Sequence, residues 1–249
     1  MKVSIITSSH NSAEYIKETL ESILAQTYDK WELLITDDAS TDETCSIIET
    51  YKKSDERIKL FRLNTVSGAA TARNKSIENA TGRFIAFCDS DDLWTPDKLE
   101  KQINFMLTNN IAFSFSPYHY INKEGKYLGT TKAREKVSHD DLLVTCDIGC
   151  LTAVFDSEKL GKLFMPSLRR RQDYALWLKI LRTIPYAYSY KEPLGFYRVH
   201  NGSVSSNKLK AGWYVWKIYR EVEQISFLKS LILITRYAWN GFKKYRSLY

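Results

Sequence analysis

The chain has 249 residues, enough for one large domain or one domain with a modest tail. Hydrophobic residues at 44% and charged residues at 26% exclude a disordered or fibrous chain. A net charge of +7 suits an anionic partner, and nucleic acid, an anionic membrane surface and a phosphorylated substrate all qualify. Four cysteines, Cys45, Cys88, Cys146 and Cys150, form no C-x-x-C pair, and Met1-Lys2 leads straight into a strand-like run rather than a signal peptide. Free thiols in a reducing, cytoplasmic setting are expected, with Cys146 and Cys150 buried and structural. No run of about 18 apolar residues appears, so no transmembrane helix is expected. The nearest candidate, Phe227 to Ile234, is short and carries Lys229.

In chain order, the first half alternates strand and helix signals. Val3 to Thr7 is an apolar run suited to a strand buried on both faces. Asn11-Ser-Ala-Glu14 has the form of a capping box, followed by Tyr15, Ile16, Leu20, Ile23 and Leu24 at helical spacing. Trp31 to Thr36 is a second strand, and Ser40-Thr-Asp-Glu43 a second capping box ahead of Ile47, Ile48 and Tyr51. Ile58 to Leu63 is a third strand. A turn at Ser67-Gly68 leads into a helix over Ala69 to Asn79, and Arg83 to Cys88 is a fourth strand. Pro96 fits a helix start. This β-α-β-α-β-α-β order predicts a mostly parallel, Rossmann-like sheet with helices on both faces. Beyond Asn110, strands are expected at Ile111 to Ile121, Leu151 to Phe155 and Leu194 to Val199, with a helix over Gln172 to Arg182. From about Lys208 the chain reads as helical, aromatic and basic.

In open α/β sheets, ligands bind beyond the carboxyl ends of the strands. There the sequence puts Thr7, Ser8, Ser9, His10 and Asn11 after the first strand, Asp37-Asp38 after the second, and Asp89-Ser-Asp-Asp92 after the fourth. Carboxylates gathered on one rim repel by several kcal/mol in a protein-like dielectric unless a cation joins them, and Mg²⁺ or Mn²⁺ prefers such oxygens together with substrate phosphates. The competing reading is that each aspartate pair caps a helix.

Several segments together resemble the family 2 glycosyltransferases of the GT-A fold. They are Val3-Ser-Ile-Ile-Thr-Ser-Ser-His-Asn11, Leu24-Ala-Gln-Thr-Tyr28, Glu32 to Asp42, Gly68-Ala-Ala-Thr-Ala-Arg-Asn74, Asp89-Ser-Asp-Asp92 with Pro96-Asp-Lys-Leu99, Gln172-Asp173-Tyr-Ala-Leu-Trp177, and Tyr197-Arg-Val-His-Asn-Gly-Ser203. The resemblance runs from Val3 to about Ser205. It implies a GT-A catalytic domain over 1–205, with a nucleotide-sugar half at 1–110 and an acceptor half at 111–205, and a C-terminal helical extension at 206–249.

It also implies roles. Ser8, His10 and Asp38 would contact the nucleoside, although His10 stands where many relatives have tyrosine. Arg73 would reach the base or phosphates, Asp89 the ribose or donor sugar, and Arg198 the diphosphate. Asp91, with His200 joining it, would hold Mn²⁺ or Mg²⁺, and Asp173 would be the general base of an inverting transfer. The family usually has Glu-Asp where this chain has Gln172-Asp173. The bland alternatives are a polar helix lead-in for His10, a surface salt bridge for Arg73, a first-turn acid favoured by the helix dipole for Asp173, and an ordinary surface histidine for His200. Leu168-Arg-Arg-Arg171 is either a solvated face or a seat for an anionic acceptor such as a lipid diphosphate.

In the tail, Trp213, Tyr214, Trp216, Tyr219, Phe227, Leu228, Leu231, Ile232, Ile234, Tyr237, Trp239 and Phe242 interleave with Lys210, Lys217, Arg220, Lys229, Arg236, Lys243, Lys244 and Arg246. This pattern suits peripheral membrane contact on the inner face of the cell membrane, or packing on the catalytic domain or a second subunit. The expected partners are a UDP-sugar and a glycan or lipid-linked acceptor, in surface polysaccharide synthesis. No RNA-binding motif is present, so no nucleic acid is expected. A processive synthase would need transmembrane spans and a Q-x-x-R-W motif. The alternative from another class is a non-catalytic nucleotide-sugar-binding module with a degenerate site.

Overall fold

The computed structural model describes residues 1–200 and 208–246. Asn201 to Ser205, the end of the resemblance, lie outside the described residues. Four parallel strands form the first half of the large sheet: β1 (Val3–Ser9), β2 (Trp31–Asp37), β3 (Ile58–Arg62) and β4 (Phe84–Phe87). β1 and β2 are buried on both faces, Val3, Ile5, Ile6, Leu33, Leu34 and Ile35 supplying the apolar contacts. The sheet order is β3-β2-β1-β4-β10-β6-β11-β9. Here β6 is Phe113–Phe115, β9 Lys136–Val137, β10 Val154–Asp156 and β11 Ala187–Ser189. β10 and β9 run against their neighbours, and the rest are parallel. A smaller sheet, in the order β5-β12-β7-β8, joins β5 (Leu93–Trp94), β7 (His119–Asn122), β8 (Tyr127–Thr130) and β12 (Gly195–Val199).

Helices cover both faces. α1 (Ile16–Leu24), α2 (Thr44–Ser54) and α4 (Lys98–Thr108) pack Ile16, Leu20, Ile23, Ile48, Leu99, Ile103 and Met106 on one side, against Val3, Ile5, Leu33 and Ile35. α3 (Ala69–Glu78), α5 (His139–Val144) and α7 (Gln172–Leu181) cover the other side, over Ile6, Leu34, Ile85 and Phe87. A single turn, α6 (Ser157–Leu160), follows β10. Trp177 of α7 is fully buried, its ring 5.4 Å from Phe87 and 5.2 Å from Phe113, which anchors α7 to the sheet. The tail consists of α8 (Lys208–Lys217), a π-helical turn (Ile218–Val222) and α9 (Phe227–Arg246). Its Val215, Ile218, Tyr219 and Leu233 join the same core as α7.

The structure corrects five readings of local sequence. Neither expected capping box forms. α1 begins at Ile16 with no side-chain cap, while Asn11 adopts φ 47° and its amide oxygen accepts from the Thr41 N–H at 2.8 Å. α2 begins at Thr44 with no side-chain cap, and Ser40 instead donates its hydroxyl to Asp37. Ile111 to Ile121 is two strands in different sheets, because the chain turns at Ser116-Pro117, where proline cannot continue a ladder. Leu151 lies in a 3₁₀ turn, Cys150–Thr152, and the strand begins only at Val154. α4 starts at Lys98, two residues past Pro96.

Candidate active site

β2, β1 and β4 are adjacent and parallel, so their carboxyl ends share one rim. With neighbouring strands about 4.8 Å apart, β2 and β4 are about 10 Å from each other. The rim is closely wired. Ser9 donates its hydroxyl to Asp37 at 2.9 Å, and Asp37 also accepts from the Ser40 N–H at 2.8 Å. The Asp38 N–H donates to the Ser9 carbonyl at 2.8 Å. Across the other gap, the hydroxyls of Ser12 and Ser90 meet at 2.8 Å. Asp37, Asp38, Asp91 and Asp92 cap no helix: α2 and α4 start several residues further on.

Asp38 uses its two carboxylate oxygens on the Ser67 and Gly68 N–H groups, at 2.7 and 2.8 Å. Gly68 has φ 92°, a backbone state that suits glycine. The clamp therefore sets where α3 begins and where it presents Arg73. His10 is exposed, and its Nδ1 donates to the Asp38 carbonyl at 2.7 Å, which requires a proton on Nδ1. Ser8 is half-buried at the end of β1, opposite Thr36.

Arg73 is buried and its guanidinium donates to the Asp89 carboxylate. Burial pulls the Arg73 pKa down, but Asp89, Cys150 and Asp173 together outweigh it and leave it raised. Burial pushes the Cys150 thiol well above its ordinary range, and Asp89 and Asp173 push the same way. Asp173, on the first turn of α7, thus shares one small neighbourhood with Arg73, Cys150 and the Asp89 end of the rim. Arg73 Nε and Gln172 Oε1 are buried without a hydrogen-bond partner. Such groups cost about 1–3 kcal/mol each and are uncommon in finished cores.

Asp91 and His200 face each other, with Nε2 2.9 Å from the carboxylate. The Tyr15 ring packs on His200 with centroids 5.1 Å apart, fixing the imidazole. Burial raises the Asp91 pKa, and the neighbouring Asp89 charge adds to it. Among the described residues, no group of three or more His, Cys, Asp or Glu side chains is arranged to hold a metal. Asp91 and His200 offer at most two donors, so a cation there would need waters and phosphate oxygens to complete its shell.

Arg198 is placed differently from the sequence expectation. Its side chain is 0% exposed. Its guanidinium donates to the Asp91 carbonyl at 3.0 Å, the Lys123 carbonyl at 2.9 Å and the Glu18 carboxylate at 2.6 Å. Its own N–H donates to Asp92 at 3.0 Å. The protein itself occupies these donors, so Arg198 acts as a strut under the Asp91 turn instead of reaching a diphosphate. Sequence reasoning missed Tyr15, Glu18 and Cys150 as parts of this region. Glu18 and Arg198 stand 180 positions apart, so no local pattern could pair them.

Comparison with known proteins gives the family and the fold. The Glycosyl transferase family 2 profile matches residues 4–161. The chain belongs to glycosyl transferase family 2. It is 46% identical over 243 residues, 97% of this chain and 96% of the relative, to the putative teichuronic acid biosynthesis glycosyltransferase TuaG of Bacillus subtilis. It is 39% identical to the Escherichia coli UDP-Glc:alpha-D-GlcNAc-diphosphoundecaprenol beta-1,3-glucosyltransferase WfgD, over 98% of this chain and 94% of that one. Staphylococcus aureus TarS 1-349, solved in complex with UDP, superimposes with a TM-score of 0.74 at 21% identity, covering 99% of this chain and 73% of that one. The fold of this family 2 glycosyltransferase is thus GT-A.

Proposed function

We propose that the transferase moves a single sugar from a UDP-sugar to a lipid-linked glycan acceptor, with inversion, in surface polysaccharide synthesis. The observation that carries this reading is the ion pair of the buried Arg73 with Asp89 at the rim, with the charge of Asp173, on the first turn of α7, acting on the same guanidinium. Residues 1–110 would hold the donor, 111–205 the acceptor, and 206–249 would form a helical extension. The UDP-bound TarS structure and the diphosphoundecaprenol acceptor in the WfgD name support the choice of donor and acceptor class.

Asp173 takes the acceptor hydroxyl proton as that oxygen attacks C1 from the face opposite the leaving diphosphate. Ser8, His10 and Asp38 line the nucleoside end, and Arg73 holds Asp89 toward the ribose or donor sugar. Asp91 and His200 would hold Mn²⁺ or Mg²⁺, which when bound takes up charge on the leaving diphosphate. Arg198 keeps the Asp91 turn in register from below.

A thermal-shift screen of UDP-, GDP- and dTDP-sugars, each with and without Mn²⁺, tests the donor. A ligand that binds only the folded chain raises the melting temperature in line with its affinity. A rise with UDP-sugars that needs Mn²⁺ is expected. Equal shifts with all three nucleotides, or a UDP shift indifferent to Mn²⁺, would contradict the reading.

A further inference from the structure

α9 has two sides that differ in kind. Ser230 and Leu233 are buried, Ile234 and Tyr237 pack on the core beneath, and the Asn240 amide donates to the Val144 carbonyl at 3.0 Å. The Tyr237 ring lies 6.1 Å from Tyr174 of α7, close enough to Arg171 and Asp173 to feel both charges. On the opposite side are Leu228, Leu231, Ile232, Trp239 and Phe242, exposed by 74%, 42%, 56%, 61% and 60%. Their i, i+3, i+4, i+11, i+14 spacing puts them on one stripe, about 21 Å long at 1.5 Å per residue. Lys229 and Arg236, seven residues apart, run along one edge of it. Over Phe227–Arg246 the sequence has five Lys or Arg and no Asp or Glu. No helix among the described residues is long and apolar enough to cross a membrane.

We infer that this outer face of α9 seats the protein on an anionic bilayer, with the apolar stripe in the acyl boundary and the basic edge among the headgroups. A contiguous exposed apolar patch marks an interaction surface, and its one-sided basic flank without acids selects a negatively charged partner. The wide apolar stripe beside that basic edge suits a surface with both an acyl layer and a negative headgroup layer. The inner side of α9 packs on α5 through the Asn240–Val144 hydrogen bond, and its Tyr237 ring meets Tyr174 of α7. The bilayer then lies beyond α9 on the side away from Tyr174, and Arg169, Arg170 and Arg171, immediately before α7, are the basic run that would meet a lipid diphosphate headgroup. This last step rests on the transferase reading; the docking itself rests only on the face of α9.

The test is sedimentation of the full chain with phosphatidylcholine vesicles, with and without phosphatidylglycerol. The comparison is a Leu231→Glu, Ile232→Glu double variant, whose exposed sites leave the fold intact, as its melting temperature and UDP-induced shift would verify. The wild type should sediment with the mixed vesicles and not with phosphatidylcholine alone, and the double variant should bind at least about tenfold more weakly. Wild type that stays in the supernatant, or a double variant that binds as well, overturns the inference. So does a wild-type dimer that the double variant converts to a monomer, since the stripe would then be a seam between copies. Failure here with normal UDP release from a UDP-sugar leaves the transferase reading standing, whereas absent UDP binding with intact vesicle binding removes that reading alone.

Discussion

Arg198→Met separates a strut from a ligand-binding arginine. The substitution keeps the apolar stem but removes the guanidinium, leaving the Asp91 and Lys123 carbonyls without their partner. The half-buried Asp91 carbonyl costs about 1–3 kcal/mol when orphaned, whereas Lys123 is exposed and its carbonyl returns to water at little cost. The Glu18 carboxylate is 51% exposed and likewise adds little. The sum of about 1–3 kcal/mol lowers the melting temperature of a chain of this size by about 2–12 °C. The freed Asp91 carbonyl also loosens the turn that carries the proposed metal ligand, so UDP affinity measured by calorimetry with Mn²⁺ should fall by about tenfold or more. Arg198→Lys should recover little of either, because an ammonium cannot span three acceptors held by a planar fork. A variant with wild-type melting temperature that has lost UDP binding would instead return Arg198 to the diphosphate.

Asp91→Ala should leave the fold intact and abolish the Mn²⁺-dependent part of UDP binding; unchanged affinity in the titration removes Asp91 as a ligand. Lys98 is fully buried with its Nζ 3.9 Å from the Trp94 ring centroid and no hydrogen-bond partner, and burial lowers its pKa to about 7 from 10.5. The unfolded chain therefore binds a proton that the folded chain lacks between pH 7 and 10.5, so this group makes stability rise with pH across that window. Lys98→Met should flatten the rise and stabilise the protein at pH 6 by a few kcal/mol in denaturant titrations; an unchanged slope would show that the amine is solvated. Burial opposes ionisation of Glu32, but hydrogen bonds from Ser4, Thr81 and Lys59 outweigh it and set its pKa at about 2. Its contribution is complete above pH 4.5 and disappears as pH falls toward 2. Glu32→Gln should remove on the order of 3 kcal/mol at neutral pH and flatten acid denaturation in that range.

The parts of the fold visible in the sequence are those where one physical signal dominates. β1 and β2 are buried on both faces, and nothing but a strand in a covered parallel sheet explains Val3 to Thr7 and Trp31 to Thr36. The rim followed, because parallel strands must end on the same side. Cap chemistry failed where side chains had better partners: Ser40 and Asn11 tie the rim loops to each other instead of starting helices. The small sheet was invisible because β5, β7 and β8 are too short for a periodicity to develop, and β5 finds its partner, β12, about a hundred residues later. The site was legible as a set of motifs but not as a network. Asp173 could be placed near Asp89 only through Arg73, and the Glu18–Arg198 strut depends on packing between α1 and the small sheet.

The most direct test of the account compares wild type with Asp173→Asn, following release of UDP from a UDP-sugar in the presence of Mn²⁺ and a lipid-diphosphate acceptor. The amide keeps the size of the side chain and its place on α7, but it cannot accept the acceptor proton. Unchanged UDP affinity and a loss of transfer of several orders of magnitude are expected. Turnover within a few-fold of wild type would contradict the assignment of Asp173 as the base.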